Sequence, residues 1–159
     1  MKTKTTLSPP EVSFALSIAT QRDACKANRS SRHSTKMSGF GVHFVGVIGE
    51  LCFRKVYGGK MNVDILPEGD SHRADIVLAD GRNVEVKSRT WNSPDPIVIF
   101  EMDELDTLEH CSMVQVALPD IGVVWPIWDR EFILRHSEKK DFGYGERLAF
   151  HPERHMAAS

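Results

Sequence analysis

Four ionisable side chains within 38 residues have the types needed for chemistry with a divalent cation: Glu50, Asp75, Glu85 and Lys87. Two carboxylates that face each other across a strand pair repel unless a cation lies between them, and Mg²⁺ prefers oxygen ligands. The backbone carbonyl of Val86 is a further oxygen beside Glu85. A bound cation eases deprotonation of water and neutralises charge on a phosphate. Lys87, on the strand face of Glu85, can orient that water or contact the phosphate, and Glu50 can hold a water or help a second ion.

An Asp-Gly turn between two apolar runs predicts a hairpin, and its loop length decides whether the carboxylates meet. A two-residue turn would put Asp75 and Glu85 on opposite faces. A three-residue loop at 79–81, with its glycine left-handed in a bulge, pairs Leu78 with Arg82 and places Asp75 directly across from Glu85. We predict the three-residue loop because it also gathers the apolar side chains on the other face: Ala74, Ile76, Leu78, Val84 and Val86.

Two helices are predicted before the hairpin. Residues 8–11, Ser-Pro-Pro-Glu, have the pattern of a capping box that opens a helix running to about residue 26 or 28. A second helix is predicted over residues 41–57, ended by a Gly-Gly pair. Gly46 and Gly49 each cost a helix interior about 1 kcal/mol, which indicates close approach to another element. For Glu50, a solvent-facing position is the alternative to a role in a site.

The remaining elements are mostly strands. The predicted strands cover residues 61–66, 97–100, 113–118 and 122–128, with a last edge strand at 146–150, and short helices are predicted over 103–110 and 129–135. This order predicts one α/β domain built on a mixed sheet. Residues 1–40 would form an N-terminal helix and basic loop, 41–150 the core, and 151–159 a loose tail.

The composition is ordinary for a globular protein: 41% of the 159 residues are hydrophobic and 26% are charged. No apolar run approaches 18 residues and the first residues lack an apolar signal segment, so we expect neither a membrane span nor secretion. Cys25, Cys52 and Cys111 are odd in number and have no CxxC spacing, which favours free thiols in a reducing cytoplasm and argues against zinc.

The charge is unevenly distributed. Residues 1–40 carry seven Lys and Arg against two acids, whereas the remaining residues are acidic, with 13 Lys and Arg against 20 acids. A basic segment on an acidic body is typical either of a phosphate-binding arm or of a solvated tail. If the segment binds nucleic acid, Arg29, Arg32 and Lys36 are the candidate contacts.

Asp75, nine further residues and then Glu85-Val86-Lys87, preceded by a helix that carries Gly49-Glu50, resemble the motif of the PD-(D/E)xK nuclease superfamily. The resemblance covers about residues 41–128. It implies a restriction-endonuclease-like core, a central mixed β-sheet flanked by helices in αβββαβ order. It also implies that Asp75 and Glu85 are the acid pair, that Lys87 is the catalytic lysine and that Glu50 is the helical glutamate. Ala74 departs from the pattern, because proline often precedes the aspartate.

The resemblance also implies a function: a Mg²⁺-dependent nuclease, with Mn²⁺ as a substitute, that hydrolyses DNA phosphodiester bonds. RNA is not excluded as a partner, and a homodimer stays open. The small size resembles phage-type, resolvase-like or repair-type members, which act in the cytoplasm, or in the host cytoplasm if phage-encoded. The alternatives are a catalytically inactive nuclease-like module that binds nucleic acid and a metal hydrolase of another phosphate ester.

Three further residues are candidates for contact with nucleic acid. Ser88 can bond a phosphate, although a plain strand-end serine fits equally. Gln115 lies in an apolar strand and needs a polar partner, either at the site or in the backbone. Trp91, just beyond the predicted catalytic strand, can stack on an unpaired base.

Overall fold

The computed structural model describes residues 1–26, 39–63, 74–92 and 94–156. Within these ranges the chain forms helices α1 (Pro9–Lys26), α2 (Gly39–Tyr57) and α3 (Arg130–His136). The strands are β1 (Thr3–Thr6), β2 (Lys60–Met61), β3 (Ile76–Val77), β4 (Asn83–Thr90), β5 (Val98–Glu101), β6 (His110–Ala117), β7 (Ile121–Val124), β8 (Trp128–Asp129), β9 (Ser137–Asp141) and β10 (Glu146–Phe150). Two short 3₁₀ helices cover Glu104–Asp106 and Pro152–His155. None of the described helices has the length and apolar character needed to cross a membrane.

Helix α1 begins and helix α2 ends as the sequence predicts. The backbone N–H of Ser8 donates to Glu11 Oε1 at 2.9 Å and that of Glu11 donates to Ser8 Oγ at 3.4 Å, which is the reciprocal pair of a capping box. After α2, Gly58 and Gly59 have φ of 78° and 97°, a conformation that suits glycine and stops the helix.

The central sheet is mixed and has the strand order β1-β7-β6-β4-β3-β2, with β8 also paired to β6. Strands β4 and β6 run parallel, and the other pairs are antiparallel. Apolar side chains of α1 and α2 pack on one face of this sheet, in one core with Val84 and Val86 of β4. The α/β class and the mixed sheet flanked by helices are therefore confirmed.

A second, three-stranded sheet with the order β5-β10-β9 contributes to a second apolar core. Trp125 and Trp128 are buried there with Phe100 and Phe150. The predicted edge strand at 146–150 is therefore the centre of a small sheet, because β5 and β9 pair with its two sides.

Other predicted elements differ in the structure. The strand predicted over 61–66 is limited to Lys60–Met61 among the described residues, and 64–66 lie outside them. The prediction of a helix over 103–110 is wrong, because only Glu104–Asp106 is helical and His110 already begins β6. The connection from β4 to β6 therefore contains β5 and a 3₁₀ helix. The predicted strand 122–128 is divided into β7 and β8, because Pro126 has no N–H to extend the ladder. Pro152 is buried in its 3₁₀ helix, within the tail that was expected to be loose.

The hairpin of β3 and β4 has the predicted register. Leu78 N donates to the carbonyl of Arg82 at 2.9 Å, and Ile76 pairs with Val84. Gly81 has φ +89° and its N–H donates to the Leu78 carbonyl at 2.9 Å. The loop therefore has three residues, and the side chains of Ile76, Leu78, Val84 and Val86 are buried in the first core as predicted. The prediction is wrong for Ala74, which is half-buried and lines a cavity instead.

Gly49 fixes how closely α2 packs on β4. A Cβ at Gly49 would lie 1.8 Å from Ser88 Oγ and 2.8 Å from Ser88 Cβ, whereas a Cβ at Gly46 would meet nothing within 4 Å. The predicted close approach is therefore confirmed for Gly49 and wrong for Gly46. Since Glu50 follows directly, this contact also sets the height of Glu50 above the sheet.

Gly49→Ala should lower the free energy of unfolding by about 1–3 kcal/mol, because Ser88 and α2 must move apart. Gly46→Ala, in the same helix, should be neutral or stabilising by up to about 1 kcal/mol. Urea denaturation of both variants measures the difference. Equal effects of the two substitutions would contradict the close packing.

Candidate active site

The carboxylate of Asp75 lies where the hairpin ladder ends. Asp75 Oδ2 accepts a hydrogen bond from the N–H of Val86 at 2.8 Å, in place of the backbone carbonyl that a continued ladder would supply. The Asp75 carbonyl accepts from Asn62 N at 2.8 Å, which ties it to the residue after β2. The hairpin register, continued by one residue, sets Asp75 across from Glu85. In this pattern Val86 also directs its carbonyl toward the same opening.

Burial and a neighbouring carboxylate disfavour the ionisation of both Asp75 and Glu85. Burial raises the pKa of Asp75 and the charge of Glu50 raises it further, against the Val86 N–H, Lys87 and Arg22, which lower it. Burial also raises the pKa of Glu85, and Asp75 is the next cause. A half-buried pair of oxygen donors with uncompensated repulsion is a donor set that suits a hard divalent cation.

Lys87 lies beside this pair and is held by an ion pair with another segment. Its Nζ is 2.8 Å from Glu104 Oε1 and 3.7 Å from Glu85 Oε1. Burial lowers the pKa of Lys87, but Glu104 and Glu85 outweigh burial and raise it above its usual value. Lys87 is therefore a charged ammonium next to the carboxylates.

Glu50 is buried, with 6% of its side chain exposed, so the solvent-facing alternative is wrong. Arg22 of α1 donates to both of its oxygens, at 3.1 and 3.5 Å, and also to the carbonyl of Asn62 at 3.2 Å. The sequence interpretation missed Arg22. A signal was present, because Glu50 interrupts the otherwise apolar stretch 44–53 and a buried glutamate needs a cation, and Arg22 lies on the helix that must cover it.

The cluster of Glu50, Asp75, Glu85 and Lys87 borders a cavity of about 810 Å³. Asp75 and Glu85 line it, and the segment around β5 and β6 adds four more carboxylates: Glu101, Asp103, Glu104 and Glu109. Lys60 and His110 also line it. The cavity is therefore strongly negative, and a phosphate can approach it only when cations offset that charge.

The structure leaves the other predicted contact residues apart from this cluster. Ser88 faces α2 and donates to the Gly46 carbonyl at 3.4 Å, on the opposite sheet face from Lys87. Gln115 is buried in β6, where it accepts from Trp125 Nε1 at 3.1 Å. Trp91 is 54% exposed beyond the end of β4. The remaining three candidates lie outside the described residues: Arg29, Arg32 and Lys36.

Within the described ranges, no three His, Cys, Asp or Glu side chains are grouped so that they could hold a metal ion. The oxygens that face the opening come from two side chains, Asp75 and Glu85, and from the Val86 backbone. One or two carboxylates with water and substrate phosphate are a usual environment for Mg²⁺. The residues present therefore fit Mg²⁺ and do not form an all-protein cage.

Glu85→Gln should stabilise the fold most at high pH when divalent cations are removed. Because the folded-state pKa of the carboxyl pair is raised, its contribution to stability is present in acid and is lost as pH rises from about 4 through that raised pKa. The melting temperature of the variant minus that of the wild type should therefore be larger at pH 8 than at pH 5. Glu101→Gln is the matched control; a difference that is the same at both pH values would contradict the repulsion.

Arg22→Met should lower the free energy of unfolding by about 3 kcal/mol, because it leaves the buried Glu50 carboxylate without its arginine. In the double variant Arg22→Met/Glu50→Gln the loss should be smaller, since no buried charge is stranded. Chemical denaturation of the two single variants and the double variant gives the coupling. Additive losses would show that the pair is not coupled.

Comparisons of this chain with protein-family models, with curated proteins and with solved structures gave no match. The functional assignment therefore depends on the geometry of the cluster. It consists of two opposed carboxylates where the strand pairing ends, an ammonium beside them and a buried glutamate on α2.

Proposed function

We propose that the chain is a divalent-metal-dependent nuclease of the PD-(D/E)xK type that hydrolyses DNA phosphodiester bonds. One observation carries the proposal: the three-residue loop sets Asp75 across from Glu85, with Lys87 two residues along on the face of Glu85. A hairpin that only had to fold would not need three charged groups here, because burying charge is costly unless it is paired or bound to a metal.

In this proposal Asp75, Glu85 and the carbonyl of Val86 hold Mg²⁺, for which Mn²⁺ substitutes. The cation supplies two things when it is bound: it eases deprotonation of a water and it neutralises charge on the phosphate. The raised pKa values of Asp75 and Glu85, caused first by burial and then by a neighbouring carboxylate, support this assignment, since a bound cation would stabilise the ionised form of both groups.

The chain's own residues position the reactants. The Val86 N–H occupies Asp75 Oδ2 and so orients that carboxylate. The Lys87 ammonium, 3.7 Å from Glu85, can hold the attacking water or an oxygen of the phosphate. The charge of Glu50 acts on Asp75, and the ion pair with Arg22 fixes the orientation of the Glu50 carboxylate. Each of these groups is buried or partly buried, which strengthens its effect on charge that develops during the reaction.

The fold is compatible with a restriction-endonuclease-like core made of α2, the β2–β3–β4 meander and the parallel partner β6. One feature departs from the αβββαβ order, because the connection between β4 and β6 carries β5 and a 3₁₀ helix in place of an α-helix. We assign the enzyme to the cytoplasm, and the free thiols of Cys25, Cys52 and Cys111 fit a reducing compartment.

A second candidate is a catalytically inactive module that keeps this fold and binds nucleic acid. The small number of protein ligands for a metal favours it, because no three His, Cys, Asp or Glu side chains of the described residues are grouped to hold an ion. The two candidates separate in one comparison, because binding by an inactive module depends on salt and survives Lys87→Ala, whereas cleavage does not survive it.

The purified chain should cleave DNA in Mg²⁺ or Mn²⁺ and not in EDTA. Asp75→Asn, Glu85→Gln and Lys87→Met should each lower the cleavage rate by about a hundredfold or more, because each removes a group that stabilises charge in the transition state. Duplex, single-stranded and branched DNA should all be assayed, together with RNA.

Glu109→Gln is the matched control for this assay. Glu109 lines the same cavity but its carboxylate accepts from Asn83 at the exposed rim, so the variant should cleave within about twofold of the wild type. Absence of cleavage by the wild type with either cation on every substrate would rule out the nuclease.

A further inference from the structure

The ammonium of Lys87 makes its short contact with Glu104 and not with its strand neighbour. Glu85 and Lys87 project from the same face of β4, and a direct ion pair between them is the simplest expectation. The Lys87 Nζ is instead 2.8 Å from Glu104 Oε1 and 3.7 Å from Glu85 Oε1. Glu104 therefore takes the hydrogen bond that Glu85 would otherwise accept.

Glu104 belongs to a segment that packing holds in place. It begins the 3₁₀ helix after β5, where Thr107 N donates to the Glu104 carbonyl at 3.4 Å. The next residue, Leu105, is buried in the second core. The same segment brings the ring of Phe100 to 5.6 Å from the Lys87 Nζ. Two of the three groups around the ammonium thus come from the β4–β6 connection.

We propose that Glu104 is a positioning residue that holds the Lys87 ammonium off Glu85, so that the Glu85 carboxylate stays open to a divalent cation. This inference rests on the proposed nuclease function and adds a residue to it. Lys87 remains 3.7 Å from the Glu85 carboxylate, where it can serve the substrate, and makes its shorter contact with Glu104.

The physical reason is competition between two cations for one carboxylate. A lysine ammonium is a compact point charge on a flexible four-carbon stem. Without Glu104, a movement of about 1 Å would bring it into direct contact with Glu85, at the usual charge-assisted distance of about 2.8 Å. A carboxylate engaged in that way is a weaker ligand for Mg²⁺ or Mn²⁺.

Mn²⁺ binding to the full chain, measured by isothermal titration calorimetry, tests the inference without reference to catalysis. Glu104→Gln should raise the Mn²⁺ dissociation constant about tenfold, which is the usual scale for a residue that supports a ligand. Glu101→Gln removes a charge from the same cavity lining and should change it by no more than about twofold.

A double variant tests whether Glu104 acts through Lys87. In a Lys87→Met background, Glu104→Gln should change the Mn²⁺ dissociation constant by about twofold at most, because no ammonium remains to move onto Glu85. In cleavage assays Glu104→Gln alone should lower kcat by about tenfold to a hundredfold and leave KM for DNA nearly unchanged.

Three results would overturn the role of Glu104: equal Mn²⁺ shifts in Glu104→Gln and Glu101→Gln, a shift that persists in the Lys87→Met background, or faster cleavage by Glu104→Gln. If that variant does not fold, Glu104→Asp replaces it with the same expected direction. A wild-type chain that neither binds Mn²⁺ nor cleaves DNA refutes the nuclease and this inference with it. If the wild type is active but Glu104→Gln and Glu101→Gln shift the Mn²⁺ dissociation constant equally, this inference alone is refuted.

Discussion

The arrangement of the proposed site depends on one hydrogen bond, from the N–H of Val86 to the carboxylate of Asp75. It exists because the three-residue loop fixes the register and the two strands stop pairing through their backbones after Ile76 and Val84. The side chain of Asp75 takes over where the ladder ends, so a buried backbone donor stays satisfied. Because the Asp75 side chain replaces a backbone carbonyl here, an opening is left between the strands, and the carboxylates of Asp75 and Glu85 lie at its edge.

Charge balance explains which neighbours the cluster needs. Glu50 is compensated by Arg22 and Lys87 by Glu104, at hydrogen-bonding distances. Asp75 and Glu85 are left with the Val86 N–H and a more distant ammonium, which do not outweigh burial and the neighbouring carboxylates, so their pKa values are raised. Among the described residues, Asp75 and Glu85 are thus the members of this cluster that lack a countercharge at hydrogen-bonding distance. A cation that binds there supplies one, which joins the stability of the fold to the proposed function.

The sequence was sufficient for features governed by local rules. The hairpin loop, the capping box at Ser8 and the glycine stop after α2 each follow from backbone preferences of a few residues. The burial of Glu50 and its arginine could not be read in this way, because they depend on how α1 packs on α2. Glu104 was missed for a related reason, because a helix was predicted over 103–110. The Glu104 side chain reaches Lys87 because the segment forms a 3₁₀ helix instead, with Leu105 buried in the second core. The small sheet was missed because all five residues of β9, Ser-Glu-Lys-Lys-Asp, are polar, so the strand lacks the alternation of apolar residues that would indicate it.

A crystal of the wild-type chain soaked in Mn²⁺, with anomalous data collected at the manganese edge, tests whether Asp75 and Glu85 bind a divalent cation. We expect one anomalous peak between the carboxylates of Asp75 and Glu85, within about 2.5 Å of an oxygen from each, with Lys87 still bonded to Glu104. A crystal of Asp75→Asn should lack that peak. Manganese bound elsewhere, or Lys87 Nζ lying between the two carboxylates in its place, would refute the metal site.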